Sequence, residues 1–101
     1  MKFLKLNILI ILIFSLNCFS QNIENGKKLY QKCIKCHGQD GLGVVSEKAP
    51  RIAGQHDWYI SSQLKAFKNN TRQNPKMYPY IKDLTSRDYS DLAAYVSQLK
   101  K

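Results

Sequence analysis

The segment Cys33-Ile34-Lys35-Cys36-His37 places two thiols three residues apart and a histidine directly after the second. That order is the attachment signature of a c-type haem. Each thiol can add across one vinyl group, so a single turn of chain supplies two thioether tethers. The histidine is then held beneath the iron, where an imidazole nitrogen can bind it. Two other uses of paired cysteines compete with this reading. A thioredoxin-type redox dithiol expects a βαβ setting, and the pattern around these cysteines is helical. A structural zinc site takes four ligands. Beyond the N-terminal leader described below, the chain offers only Cys33, Cys36, His37 and His56, and His37 is adjacent to Cys36.

The flanks of the motif fit a small helical domain. Residues 22–35 read as a first helix, capped by Asn22 and opened by Ile23 and Glu24. Gly26 and Tyr30 fall four apart on one face, with Leu29 and Cys33 on the neighbouring one. A glycine inside a helix costs about 1 kcal/mol relative to alanine, so Gly26 points to the close approach of another helix. After the motif, Gly38-Gln39-Asp40-Gly41-Leu42-Gly43 is a loop that can bend closely around a flat ring. It lacks the lysine of a phosphate loop and the spacing of a dinucleotide fingerprint.

Further along, Pro50-Arg51-Ile52-Ala53-Gly54 is a second loop. A second helix is expected from His56 or Asp57 to Asn69, with Ile60, Leu64 and Phe67 at i, i+4 and i+7. Trp58, Tyr59 and Phe67 are expected in the core or the haem pocket. Residues 72–84 read as a loop, because Pro75 and Pro79 exclude a regular helix and would hold Met77 at a defined place. Thr85-Ser86-Arg87-Asp88 opens the last helix as a capping box with aspartate in the usual place of glutamate. Tyr89, Leu92, Val96 and Leu99 form its apolar stripe. No strand and no internal repeat is visible.

The 101 residues allow one domain, and the chain opens with a leader. Lys2 and Lys5 precede an apolar run over residues 6–14, followed by small residues near Ser20. This is the pattern of a secretory signal peptide over residues 1–20, leaving a domain of residues 21–101. The apolar run is short for a membrane span. An uncleaved anchor and lipidation at Cys18 are the alternatives, and Asn17 suits lipidation poorly. The whole chain carries a formal charge of +9, and +7 without Lys2 and Lys5. Two ionised haem propionates lower that to about +5. A basic balance can indicate nucleic acid, an anionic membrane or an acidic protein partner, or simply a solvated surface. Export and the lack of any nucleic-acid motif set nucleic acid aside.

With these elements placed, the chain resembles class I c-type cytochromes, in particular short bacterial monohaem carriers similar to one half of the dihaem cytochrome c-four type. The carrying pieces are Gly26-Lys27-Lys28-Leu29-Tyr30, Cys33-Ile34-Lys35-Cys36-His37-Gly38, Ile52-Ala53-Gly54-Gln55, Gln63-Leu64-Lys65-Ala66-Phe67, Asn74-Pro75-Lys76-Met77 and Asp91-Leu92-Ala93-Ala94-Tyr95. The resemblance implies an all-α fold with about three main helices wrapped around one haem c, attached through Cys33 and Cys36. It implies that the first and last helices cross near Gly26, Tyr30, Leu92 and Tyr95. It implies His37 and Met77 as the iron ligands, with the Pro50 carbonyl accepting a hydrogen bond from His37. His56 is the rival to Met77. Tyr80 stands where such cytochromes often carry a second methionine.

The function implied is a periplasmic electron carrier without substrate turnover. It would run between a quinol-oxidising complex and a terminal oxidase or reductase, docking on acidic surfaces and reaching the membrane only through partners or a retained anchor. A small haem peroxidase, which needs a vacant iron site, and a permanently docked redox subunit or ligand sensor are the rivals.

Overall fold

The computed structural model describes residues 20–99. The expected leader of residues 1–20 therefore lies outside the described residues, apart from Ser20 itself. Five α-helices follow in order: α1 (Ile23–Tyr30), α2 (Ile34–His37), α3 (Asp57–Lys68), α4 (Tyr78–Ile81) and α5 (Ser86–Ser97). A single 3-10 turn, Val45–Glu47, lies between α2 and α3. Among the described residues there is no strand beyond one isolated antiparallel bridge, Val44 with Ala49. None of the described helices is long and apolar enough to cross a membrane.

The three long helices start and face as their local chemistry dictates. The Asn22 side chain accepts from the Asn25 amide at 3.1 Å and caps α1. In α5 both halves of the capping box form. Thr85 Oγ1 accepts from the Asp88 amide, and Asp88 Oδ2 accepts from the Thr85 amide, each at 3.1 Å. The stripe of α3 buries Ile60, Leu64 and Phe67 against Leu92, Ala93 and Val96 of α5. Each such side chain contributes about 1.5–3 kcal/mol when fully buried.

The crossing of α1 and α5 explains Gly26. A Cβ at that position would lie 2.1 Å from the Asp91 carbonyl oxygen and 2.8 Å from Tyr95 Cβ. Beside it, the rings of Tyr30 and Tyr95 meet at 5.5 Å. The buried Asp91 carboxylate faces back into α1, accepting from the Asn22 amide at 2.7 Å and Asn25 Nδ2 at 2.9 Å. A side chain of the last helix thus satisfies a donor at the start of the first.

Two expectations fail locally. The first helix does not run to residue 35. It ends at Tyr30, and residues 31–33 turn through i→i+3 bonds, Gln31 N to Lys28 O and Cys33 N to Tyr30 O, before α2 begins. The cause is tertiary: Tyr30 is buried and its hydroxyl donates to the Gly38 carbonyl at 2.6 Å, folding the chain back on itself. Residues 72–84 are not all loop either. Pro79 sits in the first turn of α4, where its missing N–H would have had no helical partner. Trp58 is a third correction: it is 66% exposed, stacked on the exposed His56 ring at 5.6 Å, and part of neither core nor cavity. At the second position of a 12-residue helix its side chain projects to solvent, while Ile60 and Leu64 take the inward face.

Candidate functional site

Among the described residues, the helices and loops line an apolar cavity of about 380 Å³ that opens to the surface and is backed by the core. Cofactor clefts run from about 300 to 1,000 Å³. Ile60, Leu64 and Phe67 of α3 form one wall, with Leu92 and Val96 of α5 behind them. Residues that serve as core in this fold are therefore also pocket lining, so a flat apolar group placed there completes the core.

The attachment segment reaches the cavity from α2. Cys33, Cys36 and His37 all line it, and both cysteines are free thiols. The turn at residues 31–33 is followed by bonds from Cys36 N and His37 N to the same Cys33 carbonyl, which gather the three side chains on one side. Burial pushes the Cys33 thiol up to about 11, with the neighbouring Cys36 adding to the rise.

His37 is buried, and its Nδ1 lies 2.9 Å from the Pro50 carbonyl oxygen. In the neutral ring the nitrogen facing a carbonyl carries the proton, so that Nδ1–H donates and Nε2 keeps a free lone pair. A carbonyl that accepts from the far ring nitrogen in this way fixes the tautomer and ring angle of a metal-binding histidine. The loop that carries Pro50 is held against α2 by Gly43 N to His37 O at 2.8 Å, and it closes on itself through the Val44–Ala49 bridge. Gly43 has φ +88°, and a Cβ there would meet the Ala49 carbonyl at 2.7 Å.

Met77 lines the same cavity. Its loop is stiffened by Asn74, whose side-chain oxygen accepts from the Lys76 and Met77 amides at 3.1 and 3.2 Å. This Asx turn, rather than proline alone, sets where Met77 sits. α4 follows at once and is anchored from α5 by the Tyr89 hydroxyl, which donates to the Ile81 carbonyl at 2.7 Å. Burial raises the Tyr89 hydroxyl pKa, and it pushes that of Tyr30 up to about 12.

The edge of the cavity is cationic. Lys32, Lys48, Arg51, Arg72 and Lys76 line it, with Glu47 the only acid among the lining residues. Glu47 pairs with Lys76 at 2.9 Å, and that contact holds its carboxyl below the usual carboxylate range. Arg72 stacks its guanidinium 4.6 Å over Phe67 and donates to Gln63 Oε1 at 2.7 Å. Half-exposed Tyr80 lines the edge as well, as does Tyr59. The ion pair joins residues 29 apart, and nothing in the spacing of the sequence announces it.

The family model for cytochrome c matches residues 23–100. The chain belongs to the cytochrome c family. It is 41% identical to cytochrome c-552 of Acidithiobacillus ferridurans over 81 residues, covering 80% of this chain and 34% of that protein. It is 38% identical to the thiosulfate dehydrogenase electron acceptor of Thiomonas intermedia over 68 residues, 67% of this chain and 31% of that one. Among solved structures, cytochrome c4 of Acidithiobacillus ferrooxidans superposes with a TM-score of 0.71 at 34% identity, over 82% of this chain and 53% of that one. The chain thus spans about a third of the length of those two sequence relatives. Its fold is that of a class I cytochrome c domain, similar to half of a cytochrome c4. This cytochrome carries haem c bound covalently through Cys33 and Cys36. The residues present fit that group: two thiols at the start of and within one short helix, an apolar cavity against the core, and an imidazole with one nitrogen left free.

Proposed function

We propose that this protein is a periplasmic electron carrier in which His37 and Met77 are the axial ligands of the haem iron. The observation that carries the reading is that both side chains line the cavity that also receives Cys33 and Cys36. Met77 is the only methionine among the described residues. His56, the rival ligand, is exposed and does not line the cavity.

The bound haem supplies a one-electron ferric–ferrous couple. His37 offers Nε2 to the iron while the Pro50 carbonyl holds the opposite side of the ring. The Met77 thioether favours the reduced state and raises the potential. Ile60, Leu64 and Phe67 keep water from the cavity wall, which favours the less charged state in the same direction. With His37 and Met77 both holding the iron, no iron site would be left for a substrate, which fits a carrier of electrons that turns no substrate over.

The cationic edge suits brief docking on acidic redox partners. Complementary charge raises encounter rates, and weak redox encounters use small interfaces. A quinol-oxidising complex as donor and a terminal oxidase or reductase as acceptor fit this role. The relative named as an electron acceptor of thiosulfate dehydrogenase adds sulfur-compound oxidation as a donor class. The leader over residues 1–20 directs export, and residues 21–101 form the working domain.

Absorption spectra of the haem-loaded protein test the axial pair. Oxidised, reduced, and reduced with carbon monoxide, the protein is expected to stay low-spin and indifferent to the gas. A reduced spectrum that shifts with carbon monoxide would show an accessible iron and sink the closed carrier.

A further inference from the structure

The loop of residues 44–50 touches one proposed iron ligand, His37, and the residue next to the other, Lys76 beside Met77. At its end, the Pro50 carbonyl accepts from His37. At its centre, Glu47 closes the 3-10 turn and receives Lys76 twice: Lys76 Nζ lies 2.9 Å from the Glu47 carboxylate and 3.1 Å from the Glu47 carbonyl oxygen. Lys76 immediately precedes Met77, and the Asn74 side chain ties both amides together. The loop can transmit this hold because it is closed by reciprocal bonds, Val44 N to Ala49 O at 3.1 Å and Ala49 N to Val44 O at 3.3 Å. Both Glu47 and Lys76 line the cavity edge.

The geometry points to Glu47 and Lys76 as positioning residues that latch the Met77 loop to the His37 loop and so keep methionine on the iron. This inference rests on Met77 and His37 being the axial pair. Haem attachment alone fixes only the segment from Cys33 to Cys36. Met77 lies on a separate segment, tied across the cavity edge by this pair. Releasing the latch lets the Met77 segment move away from the cavity more often, and an external ligand then competes with a methionine that is more often detached. The pair is exposed, so its effect is modest and weakens with salt.

Imidazole titration of the ferric haem-loaded protein, followed by absorption, tests this. Glu47→Gln and Lys76→Gln are each expected to tighten apparent imidazole binding about two- to fivefold, the range of a surface ion pair. The exchanged pair Glu47→Lys with Lys76→Glu should recover at least half of that change. Met77→Ala should bind imidazole far more tightly than wild type, and in that background Glu47→Gln should change nothing. Single variants that bind imidazole like wild type overturn the latch. So does a Glu47→Gln effect that persists undiminished without Met77, because the pair would then act on the pocket at large. If Met77→Ala binds no more tightly than wild type, the axial assignment itself has failed and the latch falls with it, a result distinct from the other two.

Discussion

Replacing Gly26 with alanine separates two opposite effects that share one site. In an uncrowded helix the change stabilises by about 1 kcal/mol, because alanine loses less backbone entropy. At the α1–α5 crossing the added Cβ would stand 2.1 Å from the Asp91 carbonyl oxygen, against rigid backbone rather than a movable side chain. Ordinary contact needs about 3.4 Å, so the helices must part by roughly 1.3 Å. Parting stretches the bonds from Asn22 and Asn25 to the Asp91 carboxylate, now 2.7 and 2.9 Å, and loosens the Tyr30–Tyr95 contact. Overpacking of this kind costs about 3 kcal/mol. Less the propensity gain, the net loss is about 2 kcal/mol, or roughly 10 °C in melting temperature for a domain of this size. Chemical denaturation of the haem-loaded protein, followed by far-ultraviolet circular dichroism, reads the sign directly. Lys27→Ala, on the exposed face of the same helix, serves as the control. A Gly26→Ala protein as stable as wild type, or more so, would refute the close crossing.

Three further outcomes are expected. Met77→Ala leaves the haem covalently attached but lowers the reduction potential and opens the iron to carbon monoxide; potentiometry that finds no change removes methionine from the ligand set. Asp91→Ala strands the Asn22 amide in the crossing, leaves Asn25 Nδ2 with only its bond to Asp88, and costs about 1–3 kcal/mol, readable as a shifted urea midpoint at constant slope. The Asp88 carboxyl is held below its ordinary value near 3.8, first by the Thr85 amide it caps. Its contribution is therefore present in full above that value and lost as the pH falls through the depressed one. Asp88→Asn should flatten that acid limb in a pH series of melting temperatures, and an unchanged limb would assign the loss to other carboxylates.

How much was legible in the sequence depends on the range of the interaction that decides each feature. The starts of α1 and α5 are set by bonds within three residues, so Asn22 and Thr85 announce them. The stripe of Ile60, Leu64 and Phe67 follows helical period and marks α3. The end of α1 is different. Gln31 and Lys32 are good helix formers, and what turns the chain there is the Tyr30 hydroxyl reaching Gly38, a contact made only after the chain folds back. Pro79 misleads for another reason, since proline breaks a helix interior but is tolerated in a first turn. Trp58 shows the limit of composition, because large apolar residues near a pocket are not always part of it. At the site, Cys33, Cys36 and His37 stand together in one motif and are read at once. The Glu47–Lys76 pair and the Arg72–Gln63–Phe67 cluster come from distant segments and needed the fold to appear.

The contact between Asn25 and Asp91 joins positions 66 residues apart. In a chain of 101 residues, that makes the α1–α5 crossing a long-range closure, which carries a large entropic penalty and slows folding relative to helical proteins built from neighbours. It also fixes an order of events for a chain made or translocated from its N-terminus. Cys33, Cys36 and His37 emerge early, whereas the α5 wall of Leu92 and Val96 follows more than fifty residues later. The pocket stays open on that side until nearly the whole domain has emerged, so the attachment residues are accessible throughout that interval and become enclosed only when the final helix docks.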